Sequence, residues 1–279
     1  MARIALVTGA SKGIGRGIAY GLAEDGWDVA VNYHRDEAGA RETAGKVLEK
    51  GRRAWVLQAD VGFSGQVRAM FDRLLAEAGG LDLLVNNAGV QTWSPLLELQ
   101  EEDWDRTLRT NLKGTFLCTQ LAARAMLAKG GSIVNIGSGC NKIAFPNLVD
   151  YTASKGGLDT FTMVAAVELG PLGIRVNTVA PGAVEIERTR RETADYAGTW
   201  GSVTPMRRVG QVADVAAAVV FLAGDKASFI TGQTLYVDGG LFAQPPWPGL
   251  REREGYGPKE SSGISLQACR PDPSELRSD

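Results

Sequence analysis

Seven short, largely apolar runs recur along the chain with longer segments of helical period between them, and no other feature restricts the possible folds so strongly. The runs are Ile4–Val7, Val29–Tyr33, Ala54–Gln58, Leu81–Asn86, Ser132–Ile136, Arg175–Val179 and Thr234–Val237. Between them, helices are expected at Gly13–Glu24, Asp36–Lys50, Ser64–Ala78, Asp103–Lys129, Tyr151–Leu169 and Val212–Ala223. A run such as Leu81-Asp82-Leu83-Leu84-Val85 lacks the in–out alternation of a strand with one wet face, so it predicts a strand covered on both sides. Strand–helix alternation then argues an α/β fold with a parallel sheet. Right-handed crossovers make it a doubly wound seven-stranded sheet with helices on both faces and ligands at the strands' C-terminal edge.

The chain has 279 residues, 44% hydrophobic and 22% charged, enough for a substantial core. A formal net charge of −2 offers no basic field to nucleic acid. No uncharged run approaches transmembrane length, so no membrane partner is expected. The apolar start, Ile4–Val7, runs straight into a glycine turn and reads as a first strand rather than a leader. Cys118, Cys140 and Cys269 show no metal-ligand spacing and read as reduced thiols of a cytoplasmic protein.

Two local patterns carry chemistry. Thr8-Gly9-Ala10-Ser11-Lys12-Gly13-Ile14-Gly15 joins the first strand to the first helix. Gly9 makes the turn, Gly13 permits close backbone approach and Gly15 allows tight helix–strand packing, so a pyrophosphate can face the helix N-terminus. A parallel sheet opening on such a turn is a Rossmann fold. Tyr151 and Lys155 lie four residues apart, on one face of an expected helix. A nearby ammonium favours phenolate, so Lys155 is expected to lower the phenol's pKa and fit Tyr151 for acid–base work.

With Asp60-Val61, Asn86-Asn87-Ala88-Gly89, Asn111, Ser138, Pro181-Gly182 and Ile230-Thr231-Gly232-Gln233 in the same order, the chain resembles the short-chain dehydrogenase/reductase family from about Arg3 to Phe242. It looks most like ketoacyl-carrier-protein reductases and sugar or polyol dehydrogenases. The resemblance implies a reversible hydride transfer between a nicotinamide cofactor and a carbonyl or secondary alcohol, with no metal. It implies proton transfer by Tyr151, support of the phenol and the nicotinamide ribose by Lys155, orientation of the carbonyl by Ser138, and a water-holding role for Asn111. It also implies cofactor contacts from Gly9, Ser11, Lys12, Gly13, Ile14, Gly15, Asp60, Val61, Asn87, Ala88, Gly89, Pro181, Gly182 and the Val184 backbone. Asp60 could equally cap a helix. Where the family often has a threonine five residues after the proline, this chain has Ile186.

The end of the second strand, Val31-Asn32-Tyr33-His34-Arg35, carries no acid to hold ribose hydroxyls. Lys12 and Arg35 could neutralise a 2′-phosphate, so NADP(H) is favoured over NAD(H). His34, the only histidine, is assigned no proton-transfer role. Trp93, Cys140 and Trp200 are candidate substrate contacts; the two tryptophans could as well pack a lid. Arg188, Arg190 and Arg191 read as a solvated helix face. The chain therefore divides into one catalytic domain over 1–242, with a substrate lid near 183–205, and a C-terminal extension over 243–279. Pro245-Pro246-Trp247-Pro248 is expected to dock against a neighbouring subunit or over a pocket, and the assembly to be a homotetramer. An oxidative sugar or polyol dehydrogenase and a non-catalytic cofactor-binding regulator remain as alternatives.

Overall fold

The computed structural model describes residues 3–243 of the chain. The C-terminal docking expected around Trp247 lies outside these residues. In chain order the elements are β1 (Ile4–Val7), α1 (Gly13–Glu24), β2 (Asp28–Tyr33), α2 (Glu37–Glu49), β3 (Ala54–Gln58), α3 (Ser64–Ala78), β4 (Leu83–Asn86), α4 (Glu101–Leu108), α5 (Gly114–Met126), β5 (Gly131–Ile136), α6 (Val149–Leu169), β6 (Ile174–Pro181), α7 (Glu187–Glu192), α8 (Tyr196–Val203), α9 (Val212–Ala223) and β7 (Thr234–Val237). The seven strands form one parallel sheet in the order β3-β2-β1-β4-β5-β6-β7. Strand order reverses between β1 and β4, which opens a crevice at their C-terminal ends.

The strands' unbroken apolarity is explained by what covers them. Ala5, Val7, Val29, Val31, Leu83, Val85, Val134 and Ile136 pack under α1, α2 and α9. Their neighbours Ile4, Leu6, Ala30, Leu84, Ile133 and Val176 pack on α3, α5 and α6. Each strand thus fills two cores at once. A polar ladder crosses the sheet's middle: Asn86 Nδ2 donates to Asn135 Oδ1 at 2.9 Å, and Asn135 Nδ2 donates to Thr162 Oγ1 at 2.9 Å. It pins α6 to the sheet from within, and α6 carries Tyr151 and Lys155.

Departures from the sequence reading have local causes. Asp36 stays outside α2 because its carboxylate accepts from Gly39 N, capping the helix that begins at Glu37. β6 runs on to Pro181, where Gly182 N–H donates to Val237 O at 3.0 Å and continues the pairing that the imino acid cannot. The single helix expected over Asp103–Lys129 is instead α4 and α5 joined by a π-helical turn, Arg109–Lys113. The lid segment, which showed no strand pattern, forms α7 and α8.

Candidate functional site

The glycine turn is fixed from the side by the end of β4. Thr8 Oγ1 accepts from Asn87 N at 2.9 Å and Ala88 N at 3.0 Å, and Asn87 Nδ2 donates to the carbonyls of Thr8 and Gly9. Gly9 sits at φ +61°, and a Cβ there would lie 2.8 Å from Ala88 Cα. A Cβ on Gly15 would lie 2.4 Å from Asn87 Nδ2. α1 then starts at Gly13 with no side-chain cap on its free N–H groups. An uncapped helix start behind a turn that excludes side chains fits an anionic pyrophosphate. So Gly9, Ser11, Lys12, Gly13, Ile14 and Gly15 lie where a dinucleotide would bind, beside Asn87, Ala88 and Gly89.

At the ribose end, Asn32 is consumed by the scaffold. Its Oδ1 accepts from Gly9 N at 3.1 Å and its Nδ2 donates to the carbonyls of Leu57 and Ala59. Lys12 and Arg35 are exposed, and neither makes an ion pair among the described residues. Asp60 is not the α3 cap, a place held by Phe63; its Oδ1 accepts from Gly62 N at 2.9 Å. Its other oxygen lies 3.7 Å from His34 Nε2, a contact the sequence did not signal. Val61 packs both its side chain and its carbonyl onto Gly114 at the start of α5.

The catalytic candidates converge from three elements. Ser138 follows β5 in extended conformation, is buried, and accepts from Cys140 N at 3.3 Å. Its hydroxyl lies close enough to the Tyr151 phenol, in the first turn of α6, to hold that phenol's pKa down. Lys155 lies beneath, its Nζ 5.6 Å from the centre of the Tyr151 ring and donating to Ile136 O at 2.6 Å. Asn111 occupies the π turn, where the backbone leaves α-helical register. Its Oδ1 accepts from Val90 N at 2.8 Å, and its Nδ2 donates to Val90 O and to Ser154 Oγ. Asn111 is therefore the stitch between the β4 loop and α6.

The electrostatics correct one expectation. Lys155 does not depress the phenol. Burial pushes Tyr151 up to about 12, opposed by the nearby Ser138 hydroxyl and the charge of Arg188. Burial likewise pulls Lys155 down to about 8, against the Cys140 and Asp159 charges that hold it up. In this arrangement Tyr151 is a loaded proton donor at neutral pH. Arg188 is exposed on α7, as a solvated face requires, and its charge still acts on the phenol.

Residues 183–205 border both regions. Ile186, standing where the family threonine is expected, packs its Cδ1 toward Gly13, 3.6 Å from where a Cβ would be. Thr189 does not replace that threonine; its hydroxyl accepts from Ile186 N and donates into the lid backbone. Pro181 ends β6, Gly182 packs against Asp238, and Val184 is buried and bridged to Gly210. Trp200 stacks near Phe145 (ring centres 6.1 Å) and Tyr196 (6.3 Å), and Phe145 meets Phe242 edge-on at 6.0 Å. The Phe242 ring lies hard against Gly139, so this aromatic cluster borders the turn after Ser138. Phe242 and Tyr196 were not foreseen, because nothing local in the sequence brings them there. Cys140 belongs to the same wall; burial raises its thiol pKa, which argues against a nucleophile. Trp93 is half-buried beside Ser94, and no ring contact joins it to the cluster among the described residues.

Known proteins are similar to this chain in sequence and fold. A family model described as Enoyl-(Acyl carrier protein) reductase matches residues 9–242. The 3-oxoacyl-[acyl-carrier-protein] reductase of Staphylococcus aureus is 42% identical over 247 residues, covering 87% of this chain and 99% of its own. The 3beta-hydroxysteroid dehydrogenase 1 of Eggerthella lenta is 40% identical, covering 86% and 94%. A gluconate 5-dehydrogenase from Burkholderia cenocepacia J2315, solved with NADP and tartrate, superimposes with a TM-score of 0.82 at 38% identity, covering 87% and 96%. With sequence, fold and site geometry in agreement, the chain belongs to the short-chain dehydrogenase/reductase family and is an NAD(P)-dependent oxidoreductase acting on carbonyl and alcohol groups.

Proposed function

We propose that this enzyme is an NADP(H)-dependent ketone reductase with one catalytic domain over 1–242, a substrate lid near 183–205, and a homotetrameric, cytoplasmic form. The observation that carries the catalytic reading is the convergence of Ser138, Tyr151 and Lys155, with the Lys155 ammonium 5.6 Å from the centre of the Tyr151 ring. The cofactor supplies the hydride. Ser138 orients the substrate carbonyl, and Tyr151 gives its proton to the oxygen as charge develops there. Lys155, buried below the Tyr151 ring, would hold the nicotinamide ribose through its ammonium. Asn111 keeps α6 in register with the β4 loop. The glycine turn, Asp60, the Val61 backbone, Asn87 to Gly89, Pro181, Gly182 and Val184 border the dinucleotide.

Lys12 and Arg35 select the 2′-phosphate; their exposure and the lack of an acid at the end of β2 support this. For the substrate, the Phe145, Tyr196, Trp200 and Phe242 cluster favours an apolar, ring-bearing ketone over a small polyol. Two apolar faces support the tetramer. One spans Phe116, Met163, Val164 and Val167 beside a depression of about 620 Å³ lined by Leu112 and Phe161; the other holds Phe221, Phe229 and Leu235 at the β7 edge. Two independent self-complementary patches generate a closed four-subunit assembly.

One experiment tests the core of this reading. NADPH oxidation is followed against β-ketoesters, polycyclic ketones, aldoses and polyols for the wild type, Tyr151→Phe and Lys12→Ala/Arg35→Ala, with dissociation constants for both cofactors. Tyr151→Phe should lose at least ~100-fold in kcat while binding cofactor normally. The double variant should lose ~1.5–3 kcal/mol of NADPH affinity per contact. Tighter NADH binding by the wild type refutes the cofactor choice, and an active Tyr151→Phe refutes the proton donor.

A further inference from the structure

Asp159 lies one helical turn beyond Lys155 on α6, half-buried, with both carboxylate oxygens engaged. Asn141 Nδ2 donates to Oδ2, and Thr234 Oγ1 donates to Oδ1 at 3.2 Å. Asn141 closes the short helical turn Gly139–Asn141 that starts directly after Ser138. Its own Oδ1 lies 3.5 Å from the Tyr236 hydroxyl, and the Lys142 ammonium sits 4.8 Å over the Tyr236 ring. Thr234 and Tyr236 belong to β7, the sheet's edge strand. One carboxylate therefore ties together the helix of Lys155, the turn behind Ser138 and the last strand.

Packing alone does not call for an acid here. Taking a carboxylate out of water is costly, and burial raises the pKa of Asp159 even against the help of Thr234, Asn141 and Lys155. A charge kept under those conditions has a use. Lys155 is buried, and its ammonium is supported by two groups, the Cys140 thiol and Asp159. Of these only a carboxylate is ionised at neutral pH.

We propose that Asp159 is a positioning residue for the reaction, fixing the turn behind Ser138 against β7 and keeping the Lys155 ammonium charged beneath Tyr151. The proposal rests on the catalytic reading of Tyr151 and Lys155 above. The other ionisable groups facing this pair are Cys140 from the turn after β5, Tyr151 on α6 itself, Arg188 from α7, and Tyr236 with Asp238 from β7 and its end.

The test compares pH profiles of kcat/KM for ketone reduction by the full chain and by Asp159→Asn, Asp159→Glu and Asn141→Ala. Asp159→Asn removes the charge and keeps the shape. Its alkaline limb should move to lower pH by at least ~0.5 unit, the floor for a full charge about 6 Å away through water-like dielectric. Asp159→Glu keeps the charge and should keep the wild-type limb. Asn141→Ala leaves the carboxylate in place, so its limb stays while KM for the ketone rises roughly 10-fold as the turn loosens. An Asp159→Asn limb that superimposes on the wild type overturns the proposal. So does an Asp159→Glu limb that moves with it. Carbon-13 NMR titration of labelled lysine, with Lys155 assigned through Lys155→Met, reads the same shift without any substrate. A wild type that reduces no ketone would sink the catalytic reading, and the lysine titration would still decide the role of Asp159.

Discussion

At Lys155 burial works against charge, and the consequence can be measured. Its pKa falls to about 8 from an ordinary 10.5. Below pH 8 the folded protein must hold a buried ammonium that the unfolded chain keeps in water. Between pH 8 and 10.5 the unfolded state binds more protons than the folded one, so the wild type gains stability as pH rises. Lys155→Met removes the penalty. The variant should be more stable than the wild type at pH 7 by on the order of 3 kcal/mol, inactive, and no longer favoured above about pH 10.5. Urea denaturation at pH 7 and at alkaline pH, where both forms stay folded, checks this; a less stable variant at pH 7 counts against it. The identities of the glycine-turn residues, Ser138, Tyr151 and Lys155 were legible because each announces itself by type and spacing. The direction of the Tyr151 shift was not. It depends on how much water the fold removes, and the ammonium that should have lowered it is instead turned toward the Ile136 carbonyl. Asp159 was illegible for a related reason: acids on helices are usually solvated, and only the fold shows which ones face inward.

The elements were read well where pattern and local chemistry agree, as at β1, α1, β3, α3, α9 and β7. The π turn escaped because nothing in Arg109–Lys113 differs from ordinary helical sequence. It exists because Asn111 must reach both Val90 and Ser154, a demand set by two distant segments. The start of α6 shows the same dependence. Asp150 is fully buried and accepts from Thr107 Oγ1 at 2.6 Å and from Tyr151 N at 2.7 Å. An acid in a first helical turn was unremarkable in the sequence, yet it locks α4 to the helix that presents Tyr151. Thr107→Val should cost about 1–3 kcal/mol, because a buried carboxylate loses a donor and gains nothing. The same change should lower kcat more than it raises cofactor KM. A variant as stable as the wild type in urea would show that water replaces the hydroxyl.

Across the whole molecule, the sheet order and the placement of the two cores followed from apolar runs that leave no face for solvent. What the chain meets beyond itself was less legible, since exposure cannot be read before the fold is known. Val167 is 77% exposed on α6 and Phe229 fully exposed before β7. Val167→Glu and Phe229→Glu should each reduce a tetramer to a dimer, and the pair should give a monomer, by light scattering. Unchanged mass in both single variants would remove these faces from the assembly. The end of the described chain has a further consequence. Phe242 closes on Gly139 at the mouth of the cleft, so whatever follows residue 243 is leashed there. A ligand joined at that point by a short flexible linker would meet the cleft at an effective concentration of about millimolar order, independent of how dilute the protein is. A group on that leash with only millimolar affinity for the cleft would compete with substrate half the time. Any group tethered at residue 243 with that affinity would raise the apparent KM about two-fold, as an internal inhibitor would.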